Sequence, residues 1–242
     1  MFLYPYAMKK SAFVHKFNWK VPSEWGFEIT RSLDFGCGEN PRNAFKAQTL
    51  FGVDIVGQSS SFDKEEFLEG ADGATFTRLT ISRFQKLPIQ DAYFDAVTMF
   101  DVLEHLSREP REHSNEFIST LNEVHRILKP GGIFFAVTPC FPSPASFQDP
   151  THINIITEAT SSYFVGKSPP AQNFGYGFTG EFELLAQFWV GPQNSFMKES
   201  PDSKFHKVLY LKSIWSISKL RSTISSLRSP THLAWLFRRP TD

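Results

Sequence analysis

The sequence predicts an α/β protein built on a mostly parallel sheet with helices on both faces. Three observations carry that expectation. Short apolar runs alternate with helical stretches between residues 31 and 138. The first run ends in a carboxylate, Asp34, and passes directly into a turn containing Gly36 and Gly38. The clearest helical pattern, 114 to 128, places Phe117, Leu121, Val124 and Leu128 on one face before Lys129-Pro130-Gly131-Gly132 stops it.

The elements follow in order. Strands are expected at 31–35, 50–55, 74–80, 95–100 and 132–138, with a helix at 41–48 started by Asn40 as cap and Pro41 at its first position. After residue 140 the pattern loosens into proline, serine and glycine clusters, so 140–180 reads as a substrate-side insertion. Apolar runs at Glu181 to Val190 and Lys207 to Leu211 supply two last strands, seven in all. Residues 1–30 form an aromatic arm containing Phe13, Phe17, Trp19, Trp25 and Phe27, whose expected role is packing. His125 lies off the apolar stripe of its helix and is expected to be a solvated surface residue. The domain is thus drawn over 31–212, with a tail at 213–242.

The loop Asp34-Phe35-Gly36-Cys37-Gly38 is a ligand-binding turn, yet it lacks the third glycine of a dinucleotide fold and the lysine of a P-loop. Asp54 stands about twenty residues on, where a carboxylate accepts hydrogen bonds from ribose hydroxyls. A nucleoside ligand is therefore expected. The series Leu33-Asp34-Phe35-Gly36-Cys37-Gly38, Gly52-Val53-Asp54, Leu87-Pro88-Ile89, Phe94-Asp95-Ala96-Val97, Val102-Leu103-Glu104-His105 and Leu128-Lys129-Pro130-Gly131-Gly132 resembles, in order and spacing, the signature series of class I S-adenosylmethionine-dependent methyltransferases.

That resemblance implies a Rossmann-like fold whose final strand is antiparallel, and S-adenosylmethionine as cofactor. It places Asp34 and the loop backbone at Gly36, Cys37 and Gly38 near the methionine portion and Asp54 on the ribose, with Ile55 and Phe100 as further contacts. The acid that many relatives carry for the adenine amino group is missing, and Ser82 or a backbone group could substitute for it, or Phe84 could stack on the ring. The Asp149-Pro150-Thr151-His152-Ile153-Asn154 stretch is similar to one in bacterial methyltransferases of glycan gene clusters, which implies a glycan or small-molecule hydroxyl as acceptor.

Transfer to a hydroxyl requires removal of a proton, and His152, shortly after the fifth strand, is the expected base. The competing role for this stretch is a turn in which His152 pins the loop. No metal is assigned, although Asp101, Glu104 and His105 with His152 as fourth ligand match the pattern of a hard-ion site. N- or C-methylation, or cofactor binding without catalysis, are the alternative functions.

Composition narrows the partners. Twenty-five Lys and Arg balance 25 Asp and Glu over 242 residues, so no basic excess argues for nucleic acid. Only two cysteines, Cys37 and Cys140, which make no paired framework, together with the absence of a charged-then-apolar leader or membrane-spanning run, point to the cytoplasm. The tail is basic, with Ile214, Trp215, Ile217, Leu220, Ile224 and Leu227 at near-helical spacing before Leu233-Ala234-Trp235-Leu236-Phe237. An amphipathic helix of that kind would suit peripheral membrane contact, or would close over the sheet or pair with another subunit. Oligomeric state is not read from the sequence.

Overall fold

A computed structural model describes residues 25–38, 41–55, 65–69, 75–81, 86–109, 114–191, 196–197 and 230–241. Among these residues nine strands form one sheet: β1 (Arg31–Phe35), β2 (Thr49–Ile55), β3 (Glu65–Glu69), β4 (Thr75–Ile81), β5 (Phe94–Phe100), β6 (Leu128–Pro139), β7 (Glu183–Val190), β8 (Phe196–Met197) and β9 (His232–Arg238). Their order is β3-β4-β2-β1-β5-β6-β9-β7-β8. Parallel pairing joins β4, β2, β1, β5 and β6. The last strand, β9, inserts antiparallel between β6 and β7, while β3 and β8 add antiparallel edges. Six of the seven expected strands are β1, β2, β4, β5, β6 and β7, the seventh lies outside the described residues, and β3, β8 and β9 join the sheet without having been expected as strands.

The central strands β1, β5, β6 and β9 are buried on both faces, which is why they read as near-continuous apolar runs. Alternation sorts them. In β6, Phe134 and Ala136 join one cluster and Ile133, Phe135 and Val137 the other; in β9, Leu233, Trp235 and Phe237 oppose Ala234 and Leu236 in the same way. The first cluster is covered by α1 (Glu116–Ile127), whose Phe117, Leu121, Val124 and Ile127 are buried and whose Asn115 side chain caps the Ile118 amide at 3.0 Å. Among the described residues, the second cluster is covered by aromatic side chains instead of a long helix. Trp25 stacks on Phe188 at 5.7 Å and meets Phe135 edge-on at 6.2 Å, with Phe27 and Phe45 beside it. The arm thus packs at 25–29; Phe13, Phe17 and Trp19 lie outside the described residues.

Three further expectations change. Residues 41–48 form a turn, not a helix, because the Asn43 side chain closes on Ala47 through both its oxygen (2.7 Å) and its amide (2.9 Å), and Lys46 adopts φ 55°. Leu233 to Phe237, read as the end of a tail helix, are core strand β9, so the sheet continues past residue 212. The proposed strand at Lys207 to Leu211 and the helical stretch 213–229 lie outside the described residues. His125 is half-buried against the Phe182 ring at 5.3 Å, and burial pushes its imidazole down to about 4, so it is a packing residue. The insertion after β6 carries two short helices, α2 (Ala145–Gln148) and α3 (Pro170–Asn173). No helix among the described residues is long and apolar enough to cross a membrane.

Candidate functional site

The carboxyl ends of β1, β2 and β5 meet at the glycine loop, where ligands bind in open α/β sheets. Gly36 (φ 76°) and Gly38 (φ 62°) turn the chain back over the strand tips. The amides of Gly36 and Cys37 donate to the Val53 carbonyl at 2.7 and 3.2 Å, tying the loop to β2. A Cβ at Gly36 would lie 2.2 Å from Val102 Cγ2, and one at Gly52 would lie 2.4 Å from Pro41 Cγ and 2.7 Å from Cys37 Sγ. Both glycines are therefore required by close approach. Sequence reading found the first and gave the second no task.

Asp34 is 1% exposed. Its Oδ2 accepts the Arg42 amide at 2.8 Å and its Oδ1 the Thr98 hydroxyl at 2.9 Å, so the carboxylate anchors the segment following the loop. Burial, ahead of the opposing Arg42 charge, pushes this acid up to about 6. The folded value exceeds that of the unfolded chain, so the associated stability is present below about pH 4 and is lost as pH rises through about 6. At neutral pH the loss is about 3 kcal/mol. Urea unfolding of wild type and Asp34→Asn at pH 4 and 7 is expected to show the wild type losing ground to the variant by about that amount; a pH-independent difference would refute the buried-acid account.

Asp54 ends β2 half-buried, and its Oδ2 accepts the Gly38 amide. Cys37 is buried beneath the loop. Ile55 closes β2 opposite Ile81. The ring of Phe100 is 2% exposed and belongs to the core of the second face, against Phe135 at 5.8 Å with the Arg42 guanidinium 5.1 Å over it. It is not an open wall of the loop. Ser82 and Phe84 lie outside the described residues.

A second group of side chains gathers beside these tips. The short turn Leu103–His105 follows β5, and Asn154 holds it: its Nδ2 donates to the carbonyls of Leu103 (2.8 Å) and Leu106 (2.6 Å). The amides of Ile153 and Asn154 both donate to the Glu104 carbonyl, at 2.8 and 3.0 Å. These bonds bring His152 to Glu104 and His105. The two imidazole rings stand 4.7 Å apart, and each Nε2 is 3.9 Å from Glu104 Oε1. Glu104 is 1% exposed, and burial followed by the Asp101 charge pushes it up to about 8. Burial, then His152, holds His105 below the usual imidazole range. Asp149 and Thr151 form the expected turn, with Asp149 Oδ1 accepting the Thr151 amide at 2.8 Å and hydroxyl at 2.7 Å.

Asp101 stands apart from this trio. Its φ of 55° turns the chain sharply at the end of β5, and its Oδ1 lies 3.2 Å from His232 Nε2 on β9. His232 carried no sequence signal, since its position depends on β9 inserting beside β6. Cys140 is buried, and its thiol is pushed up to about 12 by burial, consistent with a packing role. Phe174 and Tyr176 are exposed, whereas Phe178 is core. A polar cavity of about 420 Å³ lined by Asn122, Glu123, Arg126, Thr179 and Arg239 lies at the opposite end of the sheet, where Arg126 already pairs with Asp91 and Glu123.

Residues 33–136 match the methyltransferase-domain family. A Mycolicibacterium smegmatis protein described as a probable S-adenosylmethionine-dependent methyltransferase is 30% identical over 113 residues, which cover 44% of this chain and 37% of that protein. The chain thus spans little more than a third of the curated relative's length. Among solved structures, an S-adenosylmethionine-dependent methyltransferase from Archaeoglobus fulgidus superposes with TM-score 0.43 at 17% identity, covering 86% of this chain and 85% of the other. One from Mesorhizobium loti superposes with TM-score 0.44 at 13% identity, covering 87% and 91%. Residues 33–136 are thus similar to a methyltransferase domain.

Proposed function

We propose that the protein methylates an oxygen of a sugar-type or other small-molecule acceptor, with His152 receiving the hydroxyl proton. The residues at the strand tips fit the cofactor. Gly36 and Gly38 present a side-chain-free loop, and Asp54 offers a half-buried carboxylate beside it for the ribose. When bound, S-adenosylmethionine supplies a methyl group already activated on a sulfonium. What remains for the chain is to orient the acceptor and take up its proton. Asp34 contributes by anchoring the segment that follows the loop, since its oxygens are engaged by Arg42 and Thr98.

The observation that carries the base assignment is the tautomer of His152. Its Nδ1 lies 3.3 Å from the Ser146 carbonyl, which can only accept, so the proton sits on Nδ1 and the lone pair on Nε2. That nitrogen is the one beside Glu104. In the segment that carries His152, Phe141, Phe147, Ile153 and Ile155 expose apolar surface, a suitable bed for the non-polar face of a sugar ring. Incubating the protein with cell extract and methyl-labelled S-adenosylmethionine tests the acceptor class. Label in an oxygen-linked methyl of a glycan or small-molecule fraction supports it; label on nitrogen or carbon, or no transfer in any fraction, would overturn it.

A further inference from the structure

We propose that Glu104, His105 and His152 form a binding site for one divalent transition-metal ion of the zinc, iron or cobalt class. Hydrogen bonding fixes both imidazoles with their lone pairs pointing inward. Thr151 gives its hydroxyl proton to Asp149 Oδ1 at 2.7 Å, so its oxygen accepts from His105 Nδ1 at 3.0 Å. The lone pair of His105 is thereby left on Nε2. The Ser146 carbonyl does the same for His152. Such outer contacts set the tautomer and aim of metal-binding histidines.

Two nitrogen lone pairs thus converge on Glu104 Oε1, each from 3.9 Å. The carboxylate itself is held by the Thr138 hydroxyl on Oε2 at 2.9 Å, while Oε1 is buried and has no hydrogen-bond partner. At 3.9 Å these are not hydrogen bonds, which close at about 2.7–3.2 Å. The three ligand atoms lie within 4.8 Å of one another, so a centre equidistant from them is about 2.5 Å from each. Movements of a few tenths of an ångström reach the ~2.0–2.2 Å of zinc bonds to imidazole and carboxylate.

The donor set names the class of ion. Two imidazoles and one carboxylate suit zinc, iron, cobalt or nickel better than magnesium, which prefers an all-oxygen shell. This differs from the hard-ion pattern in which Asp101 was the first ligand. Asp101 Oδ1 is instead beside His232, at 3.2 Å. Three protein ligands leave coordination positions open, and His105 is 30% exposed at the margin of the group. The part the ion plays in catalysis rests on the hydroxyl-transfer reading, whereas its binding does not. Ligation through His152 Nε2 and proton uptake at that nitrogen are alternatives: in the metal-stripped protein Nε2 takes the proton, whereas in the loaded protein the ion would acidify the acceptor hydroxyl instead.

The test titrates cobalt(II) into the metal-stripped full chain, read by calorimetry and by visible absorption of the coordinated ion. Wild type is expected to bind about one equivalent, with His105→Ala and His152→Ala each weakening binding about a hundredfold and Glu104→Gln at least as much. Should Glu104→Gln fail to fold by circular dichroism, the two histidine variants decide. Absence of stoichiometric binding, binding undiminished in both histidine variants, or a site filled by magnesium in preference to cobalt would each overturn the proposal. S-adenosylmethionine titrated into the same stripped protein reports separately on the methyltransferase reading. Cofactor binding without cobalt binding removes only the metal site, and cobalt binding without cofactor binding removes only the transferase reading.

Discussion

Replacing Asp54 by Ala is expected to weaken S-adenosylmethionine binding about a hundredfold, measured by calorimetry, while leaving the protein folded. The carboxylate lies at the carboxyl end of β2, half-buried, with Oδ2 on the Gly38 amide. Two effects add in the variant. Ribose hydroxyls lose a charged acceptor, worth about 1.5–3 kcal/mol for each hydrogen bond to an ionised group. The glycine loop also loses the side chain that ties Gly38 to β2, so its bound conformation must be ordered at the expense of affinity. Asp54→Asn retains the shape without the charge and is expected to fall between the two. Unchanged affinity in both variants would remove the ribose role.

His152→Ala is expected to lower the turnover rate by about 10²–10⁴-fold, the usual contribution of a positioned proton acceptor. Cofactor affinity should be unchanged, because His152 is attached to the turn after β5 and to α2, not to the glycine loop. The comparison to make is His152→Ala against Asp54→Ala, with binding and single-turnover transfer measured on both. A split in which one variant fails at chemistry and the other at binding supports separate acceptor and cofactor sides. Full turnover by His152→Ala would exclude the residue from the reaction.

The parts of this fold that were legible are those whose local chemistry and tertiary fate agree. β1, β2, β5 and β6 are apolar runs buried on both faces, and α1 has a cap, a stripe and a stop, so each declares itself over its own length. The segment at 41–48 did not. Asn and Pro signalled a helix start, but the Asn43 side chain offered the Ala47 backbone a competing partner. Leu233 to Phe237 shows the opposite failure. A short, wholly apolar run has no periodicity to tell buried strand from buried helix, and the basic residues around it favoured the wrong reading.

The site divides in the same way. Gly36, Gly38, Asp34 and Asp54 were recognisable because a tight loop after a strand needs those residue types there. His152 was singled out by its place after β6, and its role as base is a proposal. The grouping of Glu104, His105 and His152 was offered by the pattern together with Asp101; what the sequence did not contain was how the Asn154 side chain, bonding back to Leu103 and Leu106, brings the three together without Asp101. The pairing of Asp101 with His232 likewise depends on β9 entering the sheet beside β6. Contacts between residues far apart in the chain are set by topology, and a single sequence states topology only weakly.

The central claim is that the tips of β1 and β2 hold an adenosyl sulfonium compound between the glycine loop and Asp54. A crystal of the protein soaked with S-adenosylhomocysteine tests it directly. The expected density lies along Gly36 to Gly38 with both ribose hydroxyls on the Asp54 carboxylate. Density bound elsewhere on the sheet, or strand tips left empty at saturating ligand, would contradict it.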